Sequence, residues 1–228
     1  MSPHKPTNPA VSLIGVPTDV GAGRIGARMG PSALRVAGIV QAIADFGIDV
    51  RDCGDLHGPD NPELPAVHGF RHLAEVVRWN QLLHEATLAE LRARRLPLML
   101  GGDHSLAMGS ISAVARHCRD TGQRLRVLWL DAHADLNTAT LTPSGNLHGM
   151  PVACLCGHGP AELTGIGGHS PALSPQDIRQ IGIRSVDPGE KRFVHALGIE
   201  VFDMRFIDEN GMRHTMAQAL LGLDERTH

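Results

Sequence analysis

Leu130-Asp131-Ala132-His133-Ala134-Asp135 lies downstream of a second cluster, Gly101-Gly102-Asp103-His104-Ser105. If the first run stays extended, its side chains alternate faces, so Asp131, His133 and Asp135 at i, i+2 and i+4 project together from one side. Two carboxylates and an imidazole crowded together repel and are costly to desolvate, and a bound cation is the simplest account of their company. The donors are oxygen and nitrogen with no thiolate, which argues against an all-cysteine zinc site. Manganese, iron, cobalt or zinc remain, with manganese leading on donor type. Taken alone, the same residues also read as strand-end polar groups capping a turn, and His104 as the closure of a strand-to-helix loop.

Outward from these clusters, apolar periodicity switches between short buried runs and longer amphipathic ones. That is the pattern of a parallel sheet with crossover helices, in about six strand-helix units. Strands are predicted over residues 11–17, 48–53, 96–100, 125–130, 181–184 and 200–202. Helices are predicted over 31–47, started by Pro31 and stopped by Gly47, and over 69–95, 105–119, 190–197 and 212–221, with an apolar helix after Pro151. Both clusters then fall at carboxyl ends of strands, where open α/β sheets bind their ligands.

The 228 residues, 42% of them hydrophobic, are enough for one substantial core. No linker-like segment divides them, so residues 1–228 are read as a single domain. A formal charge of −3 gives no electrostatic reason to expect nucleic acid or an anionic membrane as partner. Cys53, Cys118, Cys154 and Cys156 show no CxxC spacing, so neither a disulfide framework nor a zinc ribbon is indicated. No stretch approaches the ~20 apolar residues needed to span a bilayer, and residues 1–10 lack the apolar core of a secretion signal. A cytoplasmic protein acting on a small molecule is expected.

Several blocks in order carry a family resemblance: Gly-Gly-Asp-His-Ser from Gly101, Asp-Ala-His-Ala-Asp-Leu-Asn from Asp131, and Ser-Gly-Asn-Leu-His-Gly from Ser144. Together with Gly15-Val16-Pro17 and the run Arg184 to Glu190, they are similar to the signature blocks of the ureohydrolases, and of the arginase family within them. The resemblance implies a three-layer α/β/α sandwich around a parallel sheet, of the arginase/deacetylase-like type. It also implies two Mn(II) ions per subunit sharing a hydroxide, and hydrolysis of the guanidinium of L-arginine to L-ornithine and urea. By the same resemblance Asp131 is a bridging carboxylate, His104 and Asp135 are ligands of one ion, and His133 is a ligand of the other. Asp135 would carry a proton to the departing nitrogen and His148 would shuttle protons to solvent. Asn137 and Ser144 would hold the substrate α-carboxylate and Asp187 the α-ammonium. From the residues alone, His148 is equally a helix-start polar group, Asn137 and Ser144 are turn formers, and Asp187 is a helix cap before Pro188. The family resemblance further implies a homotrimer or homohexamer.

The chain stops at Asp224-Glu225-Arg226-Thr227-His228, ahead of the family's third metal motif, a strand with two further Asp ligands. An arginase-like domain lacking its C-terminal strands is therefore expected. The absent strands would lie between the one ending at His104 and the one ending at Asp131, leaving two apolar edges unpaired. With two Asp and two neutral His, one metal ion or none is expected in this chain. Residues 202–204 and 206–208 are read as a strand and loop, not as replacement ligands. Three alternatives stand beside the arginase reading: an agmatinase or guanidinobutyrase-type ureohydrolase, a non-catalytic metal-binding fragment of the same fold, and a deacetylase-like amidohydrolase.

Overall fold

A computed structural model describes residues 10–228; the polar, Pro-rich start read above lies, but for Ala10, outside the described residues. The chain begins in β1 (Ala10–Gly15), an apolar run buried at five of its six positions. Then come α1 (Gly30–Val36), α2 (Ile39–Ala44), β2 (Val50–Asp55), α3 (Leu73–Arg92), β3 (Arg95–Leu100), α4 (Ala107–Thr121) and β4 (Val127–Leu130). The remainder holds α5 (Pro151–Leu155), α6 (Ala161–Thr164), β5 (Ile178–Ile183), α7 (Pro188–Leu197), β6 (Glu200–Asp203), α8 (Met204–Asn210) and α9 (Met212–Ala219). The six strands form two three-stranded sheets, in the orders β2-β1-β3 and β4-β5-β6, and every pairing is parallel. Parallel pairing needs crossovers, and the intervening helices supply them. The α/β sandwich of the sequence reading is therefore present.

Among the described residues β3 pairs only with β1 and β4 only with β5, so the unpaired edges are the ones expected. On β3, Leu96 and Leu98 stay 46% and 40% exposed. The final residues run beside the segment leading into β4, with Arg124 N donating to Arg226 O (2.7 Å) and His228 N to Arg124 O (2.8 Å).

Helices join the two sheets. α3 turns Val76, Trp79, Leu83 and Leu91 inward at helical spacing. α4 lies against it so closely that a Cβ on Gly109 would stand 2.4 Å from Asn80 O. The buried Asn80 side chain fills the contact, accepting from Gly109 N (2.6 Å) and donating to Val76 O (2.9 Å). Leu106 and Met108 pack with Ile14, Val16 and Leu83 of the first half, while Ala107 and Ala115 pack with Trp129, Val152 and Ile178 of the second. One helix and the turn before it thus serve both cores. No helix among the described residues is long and apolar enough to cross a membrane.

Three local expectations change. The single helix over 31–47 is two, because Gly38 takes a left-handed conformation (φ 84°) between α1 and α2. The second strand lies two residues later than its apolar residues suggest, since β2 is an exposed edge held by pairing more than by burial. Residues 206–208, read as a loop, lie in α8, whose first turn is capped by the Asp203 carboxylate accepting from Phe206 N (2.8 Å).

Candidate functional site

The sequence places Asp131, His133 and Asp135 on one face of a strand. In the structure β4 ends at Leu130 and the chain bends immediately, so strand alternation is not what gathers these side chains. Asp135 adopts a left-handed backbone (φ 51°), a conformation Asp tolerates better than most residues. The loop is instead held from below and beside. Asp131 N donates to Ile181 O (3.1 Å), and Arg184 N and Ser185 N both donate to Ala132 O (2.8 and 2.9 Å). The fully buried Gln180 donates through Nε2 to Ala134 O (2.6 Å).

The opposing partner comes from the other sheet. Asp103 caps the short turn His104–Leu106 with Oδ1 accepting from Ser105 N (2.9 Å). Its Oδ2 accepts from Gly21 N (2.8 Å), and Gly21 O in turn accepts from His148 N (3.0 Å). Glycine at 102 is needed here, because a Cβ would stand 1.7 Å from Thr18 O. His104 is thereby aimed across the gap, its ring stacked on Trp129 at 4.4 Å between centroids. His104 Nδ1 lies 2.9 Å from Asp131 Oδ2 and 2.8 Å from Asp135 Oδ2. Burial pulls the His104 pKa down, but the hydrogen bonds and charges of Asp135 and Asp131 outweigh it and hold it above its ordinary value.

These three residues form a group whose donor atoms lie within 4.8 Å of one another. One nitrogen and two carboxylate oxygens suit a hard or borderline divalent cation. His133 stands apart from the group: its side chain is 61% exposed, and its Nδ1 approaches the other oxygen of Asp131 at 3.3 Å.

Beside this group opens a pocket of about 260 Å³, lined by His133, Asp135, Asn137, Ser144, His148 and Asp187 among others. All the residues named from the sequence for substrate and proton transfer therefore face one cleft. Asn137 N donates to Gly149 O (2.9 Å), joining the two loops. The buried Asn137 Oδ1 and His148 Nδ1 have no hydrogen-bond partner among the described residues. Asp187 begins α7 in a capping box with Glu190.

Three contributors escaped the sequence reading. Glu190, 3% exposed, accepts from Leu136 N (2.7 Å) and ties α7 to the Asp135 loop; burial pushes its pKa up. The Asp-x-x-Glu spacing of a capping box was the available signal. Asp103 and Trp129 were visible only as a loop residue and a strand residue.

The comparisons agree with this geometry. The "Arginase family" model matches residues 9–228. Arginase of Bacillus caldovelox is 42% identical over 225 residues, covering 95% of this chain and 72% of the relative. The native crystal structure of that enzyme superposes with a TM-score of 0.89 at 41% identity, covering 96% of this chain and 73% of that one. The Entamoeba histolytica arginase, solved in complex with L-ornithine, gives 0.85 at 32% identity, covering 95% and 74%. With its helix-joined parallel sheets and its His104, Asp131 and Asp135 group, the chain belongs to the arginase family.

Proposed function

We propose that the pocket takes L-arginine and that the chain, acting as one domain, hydrolyses its guanidinium to give L-ornithine and urea. The observation that carries this reading is the meeting of Asp135, Asn137, Ser144, His148 and Asp187 at one cleft beside the His104 group. The arginase names of the relatives and the ornithine bound to one of them support it.

His104 Nδ1, Asp131 Oδ2 and Asp135 Oδ2 would hold one divalent cation, Mn(II) by donor type. His133 Nδ1 lies 3.3 Å from the remaining oxygen of Asp131, and a second ion would draw on that pair. A bound divalent ion supplies a water of lowered pKa, a nucleophile at neutral pH. Asp187 offers a carboxylate to the α-ammonium of arginine, and Asn137 and Ser144 offer donors to its α-carboxylate, which fixes the guanidinium end toward Asp135. Attack of water on the guanidinium carbon makes a tetrahedral centre. Its collapse requires a proton on the departing nitrogen, and Asp135 would take a proton from the attacking water and return it to that nitrogen. His148, whose side chain lines the pocket, would exchange the proton with solvent.

Urea release from L-arginine and from agmatine at matched concentration with Mn(II) tests the reading. A polar site built for the amino-acid head rejects a substrate lacking it by up to ~10⁴-fold, so arginine is expected to win by orders of magnitude and Asp187→Ala to shrink the difference. Equal turnover of the two, or faster turnover of agmatine, favours the agmatinase reading and refutes this one. Absence of urea from both, with metal bound, favours the non-catalytic fragment.

A further inference from the structure

We propose that the slot beneath α7, adjoining the pocket above, is a second binding site, and that it takes a small carboxylate with an apolar body. The slot has a volume of about 480 Å³ and runs between α7 and the strands β5 and β6. That falls within the ~300–1,000 Å³ of small-molecule sites. Val194, Ile199 and Val201 line it together with the buried Gln180 and with Arg184, Lys191 and His195.

The charges are unbalanced. No ion pair involves Arg184, Lys191 or His195 among the described residues, although other arginines of this half are matched, Arg179 with Glu200 and Arg124 with Asp224. Asp203 is the one carboxylate lining the slot, and its Oδ1 is engaged as the cap of α8. Two cationic side chains and an imidazole, of which Arg184 donates to Gly182 O (3.1 Å), therefore share the slot with one carboxylate that has one oxygen engaged. An anion balances them, and the guanidinium fork of Arg184 suits a carboxylate. The valine and isoleucine side chains of the lining favour a ligand with one charge and a hydrocarbon body, since a dianion held against them would lose hydration without partners.

The site is separate from the arginine pocket and does not depend on that reading. The two share Val186 alone. Contact between them runs through the wall, where Gln180 holds Ala134 O from the slot side.

Isothermal titration of the full chain with 3-methylbutanoate, its neutral amide 3-methylbutanamide and inorganic phosphate tests the proposal. The carboxylate is expected to bind at least ~10-fold more tightly than the amide, the size of one charge-assisted hydrogen bond, and more tightly than phosphate. Combined Arg184→Gln and Lys191→Gln substitutions are expected to remove that preference, and Val201→Phe, which fills the slot without changing charge, to abolish binding. Absence of carboxylate binding, equal affinity for carboxylate and amide in the wild type, phosphate binding as tightly as the carboxylate, retention of the carboxylate preference in the double variant, or retention of binding in Val201→Phe overturns it.

Discussion

The β2-β1-β3 half and the β4-β5-β6 half each end in a loop that carries part of the site, but they hold those residues differently. On the first side His104 is fixed by a backbone cap and by the Asp103 link to Gly21. The half around it is laced with partly exposed ion pairs, Arg35 with Asp52 and Asp55, and Arg95 with Asp49. Four of the six β2 residues are exposed. On the second side the Asp131–Asp135 loop is held by buried polar groups, Gln180 and Glu190, and the central strand β5 buries four of six positions. The halves share no strand pairing. Their alignment, and hence the distance from His104 to the two carboxylates, is a property of α4 and its neighbours rather than of the sheets.

The comparison breaks first at the shared turn. Leu106→Ala removes a fully buried side chain and is expected to cost ~2–5 kcal/mol, measured by urea denaturation; a loss below ~1 kcal/mol would mean the halves are joined elsewhere. Gly109→Ala drives a Cβ against Asn80 O and should cost ~1–3 kcal/mol, with the same measurement as its check. Asp103→Asn keeps a cap for Ser105 but turns a donor or a weaker acceptor toward Gly21. Affinity for Mn(II) should fall ~10–100-fold, as when a group orienting a ligand is removed, while unchanged affinity would strip Asp103 of that role.

The smallest expected effect concerns pH. His84 on α3 is 5% exposed. Burial, with Arg116 of α4 nearby, holds its pKa below the ordinary 6.5. The unfolded chain then binds the proton more readily. The stability this buried neutral ring permits is fully present above about pH 6.5 and is lost as pH falls from there through the folded value. Lowering pH from 7 to 5 should therefore depress the thermal midpoint more in the wild type than in His84→Leu; parallel profiles would assign the acid sensitivity to other groups.

Much of the architecture was legible because alternating buried runs and amphipathic helices permit few arrangements, and the six strands fall close to the segments predicted. The clustering of His104 with Asp131 and Asp135 was legible in the motifs, but its cause was not. Strand alternation would have brought His133 into the group, whereas the chain leaves the strand after Leu130 and the 61% exposed His133 approaches only the other oxygen of Asp131. Asp103, Trp129 and Glu190 act through contacts spanning tens of residues, which local patterning does not register. The break at Gly38 and the helix after Asp203 depend on a single φ and a single cap, each within the ordinary ambiguity of a short segment.

Equilibrium dialysis of Mn(II) against the wild-type chain and His104→Ala most directly tests a cation site assembled from both halves. The account predicts one ion per wild-type chain and at least ~100-fold weaker binding in the variant, beyond the loss expected for a merely orienting group. Two ions per wild-type chain, or binding that survives His104→Ala, would contradict it.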